Sequence, residues 1–199
     1  MNKRLEDMTL EELWQLFPII LTEHKLEWKE IYLEEEALLQ KALSGFNIVS
    51  INHIGSTAVD GIKAKPIIDI LVNIAAEEDM AAVSPAVINA GYRLMSRQEG
   101  RMSFNKGYTE QGFSERVFHL HLRFEGDCDE IYFRDYLNAH PETAREYEAL
   151  KISLCEKYRH NRDAYTEAKT EFVKKYTEMA KGQGLRLHNQ HVALNKQRD

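Results

Sequence analysis

Asp69 stands inside an almost continuous apolar run, Ile67-Ile68-Asp69-Ile70-Leu71-Val72-Asn73-Ile74. A carboxylate buried there is costly unless it is paired or binds a cation. Pairing with Lys65 or an arginine is one explanation, and a functional site is another. Twelve residues upstream or so, His53-Ile54-Gly55-Ser56-Thr57-Ala58-Val59 reads as a strand end, a Gly-Ser turn and a short helical start. The backbone amides after Gly55 and the hydroxyls of Ser56 and Thr57 suit a phosphate, with Lys63 and Lys65 nearby as positive charge, although a lone Gly-Ser-Thr is also an ordinary turn. Further on, His119 and His121 alternate with Leu120 and Leu122, which places both imidazoles on one face of a strand. If that face meets Asp69, two histidines and a carboxylate form a transition-metal set, with Zn²⁺ as the natural ion. Alternatively the histidines touch a phosphate directly, one acting as general acid or base. Tyr147 with Lys151, and Tyr165 with Lys169, share helix faces at i, i+4.

The elements that must position these groups follow from periodicity. Thr9 and Glu12 form a capping box ahead of a short helix that Pro18 closes. A second helix runs over about 27–43, with the Glu34-Glu35-Glu36 run expected on its solvated edge. A strand over about 46–54 leads into the Gly-Ser turn, and the run around Asp69 is a strand buried on both faces. A helix over 77–90, a strand at 92–95 and two strands within 101–123 follow, with a turn region between Gly107 and Gly112. Helices then occupy 130–139, the segment starting at Pro141, and a single charged stretch from Asp163 to Ala180. This order predicts an α+β or α/β fold, a mixed β-sheet flanked by helices. N-terminal helices (1–45) pack on a core of 46–181 that ends in a helical bundle, and 182–199 form a polar tail.

The 199 residues are 43% hydrophobic and 29% charged, an ordinary globular composition. With 26 basic and 32 acidic side chains the net charge is −6, which disfavours an extended nucleic-acid surface but leaves room for a small basic pocket. Two cysteines, Cys128 and Cys155, offer neither a disulfide framework nor a zinc spacing. The start lacks a signal-peptide core, and no apolar run approaches the roughly 18 residues of a membrane span, so a soluble cytoplasmic protein is expected.

The Gly-Ser turn followed by Asp69 resembles the nucleotidyltransferase superfamily. More closely, the chain resembles the GrpB family (UPF0157), through HIGSTAV at 53–59, KPIIDI at 65–70, HLHL at 119–122, FRDYLNAHP at 133–141, EYEALK at 146–151 and NRDAYTEAK at 161–169. The resemblance implies a nucleotidyltransferase-like fold with Gly55, Ser56 and Thr57 as a phosphate loop and Asp69 as the catalytic carboxylate. In that superfamily, acids at i and i+2 and a third from a neighbouring strand hold two Mg²⁺ or Mn²⁺ ions. Here i+2 is Leu71, and the later strand carries His119 and His121, which become the candidate catalytic or metal-binding replacements. The resemblance further implies that Lys65, Arg134, Lys151, Tyr165 and Lys169 line the cleft as ligand contacts, and Arg123 is a comparable candidate. The expected ligand is a nucleotide or small phosphorylated anion. A transferase-like enzyme and a non-catalytic binding or regulatory module on the same fold are both consistent with these residues.

Overall fold

The structure is a computed structural model that describes residues 3–183, so most of the expected polar tail lies outside the described residues. Five strands form one sheet in the order β1-β2-β5-β4-β3: β1 (Ile48–Ile54), β2 (Ile68–Ile74), β3 (Arg93–Gln98), β4 (Arg101–Thr109) and β5 (Gly112–Phe124). The central β2–β5 pair is parallel and the remaining pairs are antiparallel. Alternation of side chains sorts the sheet into two faces. Ile68, Ile70, Val72 and Ile74 of β2, with Phe118, Leu120 and Leu122 of β5, bury one face in the main core. There they meet Trp28, Tyr32 and Leu39 of α2 (Glu27–Ala42) and Val83 and Val87 of α3 (Met80–Asn89). The other face carries Asp69 and Leu71 of β2 and His119, His121 and Arg123 of β5. Over that face lie α4 (Asp129–Ala139), α5 (Pro141–Tyr158), α6 (Arg162–Glu167) and α7 (Thr170–Gly182). The amino-terminal helix α1 (Leu10–Leu16) carries the expected Thr9–Glu12 capping box. Among the described residues no helix is long and apolar enough to cross a membrane.

Three features differ from the sequence-based expectation. Glu35 and Glu36 are buried, not solvated. Glu35 lies beneath the sheet, where Lys106 of β4 pairs with it at 2.7 Å and the Tyr92 hydroxyl donates to it at 3.0 Å. Partners from distant strands offset a burial that a helix-face argument cannot foresee. The turn region at 107–112 contracts to Glu110-Gln111, because Gly107 stays within β4 at an irregularity in the β4–β5 register. Gly107 has φ +89°, and a Cβ there would overlap the Arg116 carbonyl. The expected single helix from Asp163 breaks into α6 and α7. The Lys169 amide bonds back three residues to the Thr166 carbonyl, tightening the turn at which Lys169 enters the cleft.

The Glu35–Lys106 pair generates a test of this packing. Lys106→Met should lower unfolding stability in urea by about 2–4 kcal/mol by leaving the carboxylate without its cation. Adding Glu35→Gln to Lys106→Met should recover much of that loss; no loss in the single variant would contradict the pairing.

Candidate functional site

Strand register builds the floor of a cleft between the sheet and the carboxy-terminal helices. Ile54 at the end of β1 pairs with Asp69, and Asp69 pairs with His119 across the parallel β2–β5 ladder. The His119 Nδ1–H donates to Asp69 Oδ1 at 3.0 Å. Its Nε2, with a single lone pair, faces both Arg162 Nη2 at 2.9 Å and the Tyr108 hydroxyl at 2.7 Å, so both ring nitrogens are engaged. Burial alone pushes the Asp69 carboxyl up, but the hydrogen bond from His119 and the surrounding positive charge outweigh it and hold the group at about 2. Burial pushes His119 down against the pull of Asp69, and pushes His121 down to about 4. At neutral pH the floor is one carboxylate among neutral imidazoles.

The turn after β1 closes onto this carboxylate. Gly55 has φ +72°, and a Cβ there would overlap Asp69 Oδ2, so glycine is required by both backbone conformation and contact. Thr57 donates its hydroxyl to the Ile67 carbonyl at 3.2 Å and accepts from His53 Nε2 at 3.0 Å, clamping the turn to the residue before β2. Thr57 thus clamps the turn while lining the cleft. Ser56 is half-buried in the lining of the cleft, which Tyr147 also lines.

The helical side of the cleft supplies cations. Lys65 Nζ lies 5.6 Å and Lys169 Nζ 4.4 Å from the centre of the Tyr165 ring, and Lys151 Nζ lies 4.9 Å from that of Tyr147. Lys151 also donates to the Lys63 carbonyl. Burial, reinforced by repulsion from neighbouring cations, pushes Lys65 and Lys151 down to about 7 and Lys169 to about 8. Arg162 stands beside them, its guanidinium 5.7 Å from the Tyr108 ring centre. Val59, Phe133, Leu137 and Val173 form an apolar wall, and the whole cleft encloses about 910 Å³.

Of the residues singled out in the sequence, Gly55, Ser56, Thr57, Lys65, Asp69, His119, His121, Arg134, Lys151, Tyr165 and Lys169 all line this one cleft. Arg123 does not: its guanidinium turns to the carbonyls of Met102 and Leu122 and toward Asp127 and Glu130. Lys63 is diverted to Glu23 at 2.6 Å. Arg134 borders the cleft while holding β1 to α4, donating to the His53 carbonyl at 2.7 Å and pairing with Asp135 at 2.7 Å. In the sequence Arg162 stands out only as part of the NRDAYTEAK motif at 161–169. Its signal lay in the spacing, since Arg162, Tyr165 and Lys169 fall at i, i+3 and i+7 beyond the helix-capping Asn161.

The donor set does not fit the ions that the superfamily resemblance implies. Leu71, at the second acid position, is fully buried against Ile54 and Ile131 of α4. The expected Asp69–His119–His121 metal set is also not assembled, because His119 offers no ring nitrogen free of a partner. Among the described residues no three His, Cys, Asp or Glu side chains converge to hold a metal ion.

Comparison with known proteins agrees with this architecture. A model of the GrpB protein family matches residues 18–179. The chain is 38% identical over 161 residues to the glutamate-rich protein GrpB of Alkalihalophilus pseudofirmus, an alignment covering 78% of this chain and 91% of that protein. The crystal structure of the conserved protein GrpB from Enterococcus faecalis superposes with a TM-score of 0.72 at 30% identity, covering 84% of this chain and 100% of that one. The GLD-2/RNP-8 complex contains a chain that matches with a TM-score of 0.52 at 13% identity, over 85% of this chain and 69% of that one, a likeness of fold alone. The fold is the α+β, nucleotidyltransferase-like mixed sheet that the motifs implied.

Two outcomes test the site's construction. Gly55→Ala should destabilise the protein by about 1–3 kcal/mol in chemical denaturation, since it forces a left-handed alanine into the Asp69 carboxylate; a neutral effect would refute the close contact. The unfolded chain holds its lysine protons up to the ordinary value of 10.5, whereas folded Lys65, Lys151 and Lys169 release them near 7–8. These groups should therefore make the ligand-free protein gain stability as pH rises from about 7 toward 10, and lose it on the way down. Thermal melts across that range check the slope, which Lys65→Met should flatten.

Proposed function

The chain belongs to the GrpB family, and from that premise and the cleft geometry we propose that it binds the phosphates of a nucleotide or another small phosphorylated ligand. The observation that carries this reading is the gathering of Lys65, Lys151, Lys169 and Arg162 around a single floor carboxylate, in a protein whose net charge is −6. Cations so close together depress one another's protonation, and an anion placed among them relieves that repulsion. The volume of about 910 Å³ lies in the range of small-ligand sites, and the apolar wall of Phe133, Leu137 and Val173 suits a base or other uncharged part of the ligand. Ser56, half-buried in the cleft lining, would add a hydroxyl donor to the phosphate. Leu71 favours a binding or regulatory module over nucleotidyl transfer by paired divalent ions, because its leucine is packed into the sheet–helix interface where that chemistry would need an acid.

Calorimetric titration of ATP, ADP and inorganic pyrophosphate tests this reading. Lys169→Met and Lys65→Met should each weaken binding by about tenfold or more, as expected for one charge-assisted contact of about 1.4 kcal/mol. Because binding raises the lysine pKa values from about 7 and 8, complex formation should take up protons, and affinity should fall as pH rises from about 7 to 9. No binding of any of the three probes, or affinity indifferent to both lysines and to pH, would overturn the proposal.

A further inference from the structure

Resting on the anion-binding reading above, we infer that the cleft takes its phosphate ligand as the free anion rather than as a magnesium complex, with Lys65, Lys169 and Arg162 supplying the countercharge that divalent ions supply in two-metal phosphoryl chemistry.

The carboxylate on the floor is hydrogen-bonded at one oxygen and crowded at the other. Asp69 Oδ1 accepts from His119 at 3.0 Å, and Oδ2 lies against Gly55 with no room for a Cβ between them. A strand period of two puts residue 71 on the same face as Asp69, and that residue is a leucine with no exposed surface. Across the ladder, the residues opposite 69 and 71 are His119 and His121. His119 presents Nε2 to Arg162, so the group nearest the carboxylate directs a guanidinium into the cleft instead of a lone pair toward a metal. Lys65 and Lys169 are close enough to Asp69 and to Arg162 for each to feel both charges.

A divalent cation entering beside Asp69 would meet at least three cationic side chains and one carboxylate already bonded at Oδ1; the cleft's other acids, Asp129, Glu130 and Glu178, do not converge with it on a common ion position among the described residues. Its dehydration would be repaid by few oxygen ligands. A pyrophosphate group meets the reverse: several donors, positive potential and one anion held back by its own partners. Magnesium in solution then acts on the ligand and not on the protein, chelating the phosphates and lowering the concentration of the form that binds.

Calorimetric titration of inorganic pyrophosphate into the full chain, once in EDTA and once with saturating Mg²⁺, distinguishes these cases. The expected result is binding in EDTA that is clearly weaker in saturating Mg²⁺. A companion titration follows the paramagnetic signal of Mn²⁺ with protein, alone and loaded with pyrophosphate, and should show no saturable uptake by the protein beyond that of free pyrophosphate. Binding that requires Mg²⁺, or is as tight or tighter with it, or stoichiometric Mn²⁺ uptake by the protein, would overturn the free-anion inference while leaving phosphate binding intact. Absence of binding in both buffers would instead overturn the anion-binding reading on which it rests.

Discussion

The contact of Gly55, Asp69 and His119 organises everything around the cleft. One carboxylate lies flush against a backbone that lacks a side chain and accepts a hydrogen bond from an imidazole on the neighbouring parallel strand. That contact ties the turn after β1 to the centre of the sheet, selects the His119 tautomer, and through Nε2 draws Arg162 from the start of α6 toward the floor. A buried carboxylate without such partners would be protonated or expelled. With them it stays ionised and holds a cluster of cations that would otherwise repel one another.

The cations are the second consequence. Lys65 precedes β2, Lys151 belongs to α5 and Lys169 stands at the junction of α6 and α7, so three separate segments deliver ammonium groups to one volume. The aromatic rings of Tyr147 and Tyr165 support them by cation–π contact, and the break between α6 and α7 brings Lys169 inward. The acidic chain as a whole hides this local positive region. The floor of one carboxylate and two neutral imidazoles lies beneath a basic wall.

Much of this was legible before any coordinates. Apolar runs and cap residues located β2, α2, α4 and the start of α5 at Pro141, because each of those elements carries its own hydrophobic period and punctuation. The His119–His121 alternation correctly put both imidazoles opposite the leucines. Glu35 and Arg123 were not legible in the same way. Glu35 looked like part of a solvated acidic run until Lys106 and Tyr92 came in from the sheet, and Arg123 looked available until nearby carbonyls and carboxylates took it. Their positions depend on partners that local patterns do not name.

The sequence by itself determined which residues share a face, where the polar exceptions to the apolar pattern fall, and that the Gly-Ser turn and Asp69 belong to one family of motifs. Strand and helix periods are local, so composition and spacing are enough to read them. Only the tertiary structure decided that Asp69 meets His119, fifty positions away, and not Lys65; that Leu71 is sealed against Ile131; and that Arg162 joins the lysines while Arg123 turns aside. Those outcomes follow from strand order and register. A parallel β2–β5 pairing sets which side chains stand opposite one another, and the pairing is chosen by burial of the whole sheet and not by any single residue within it.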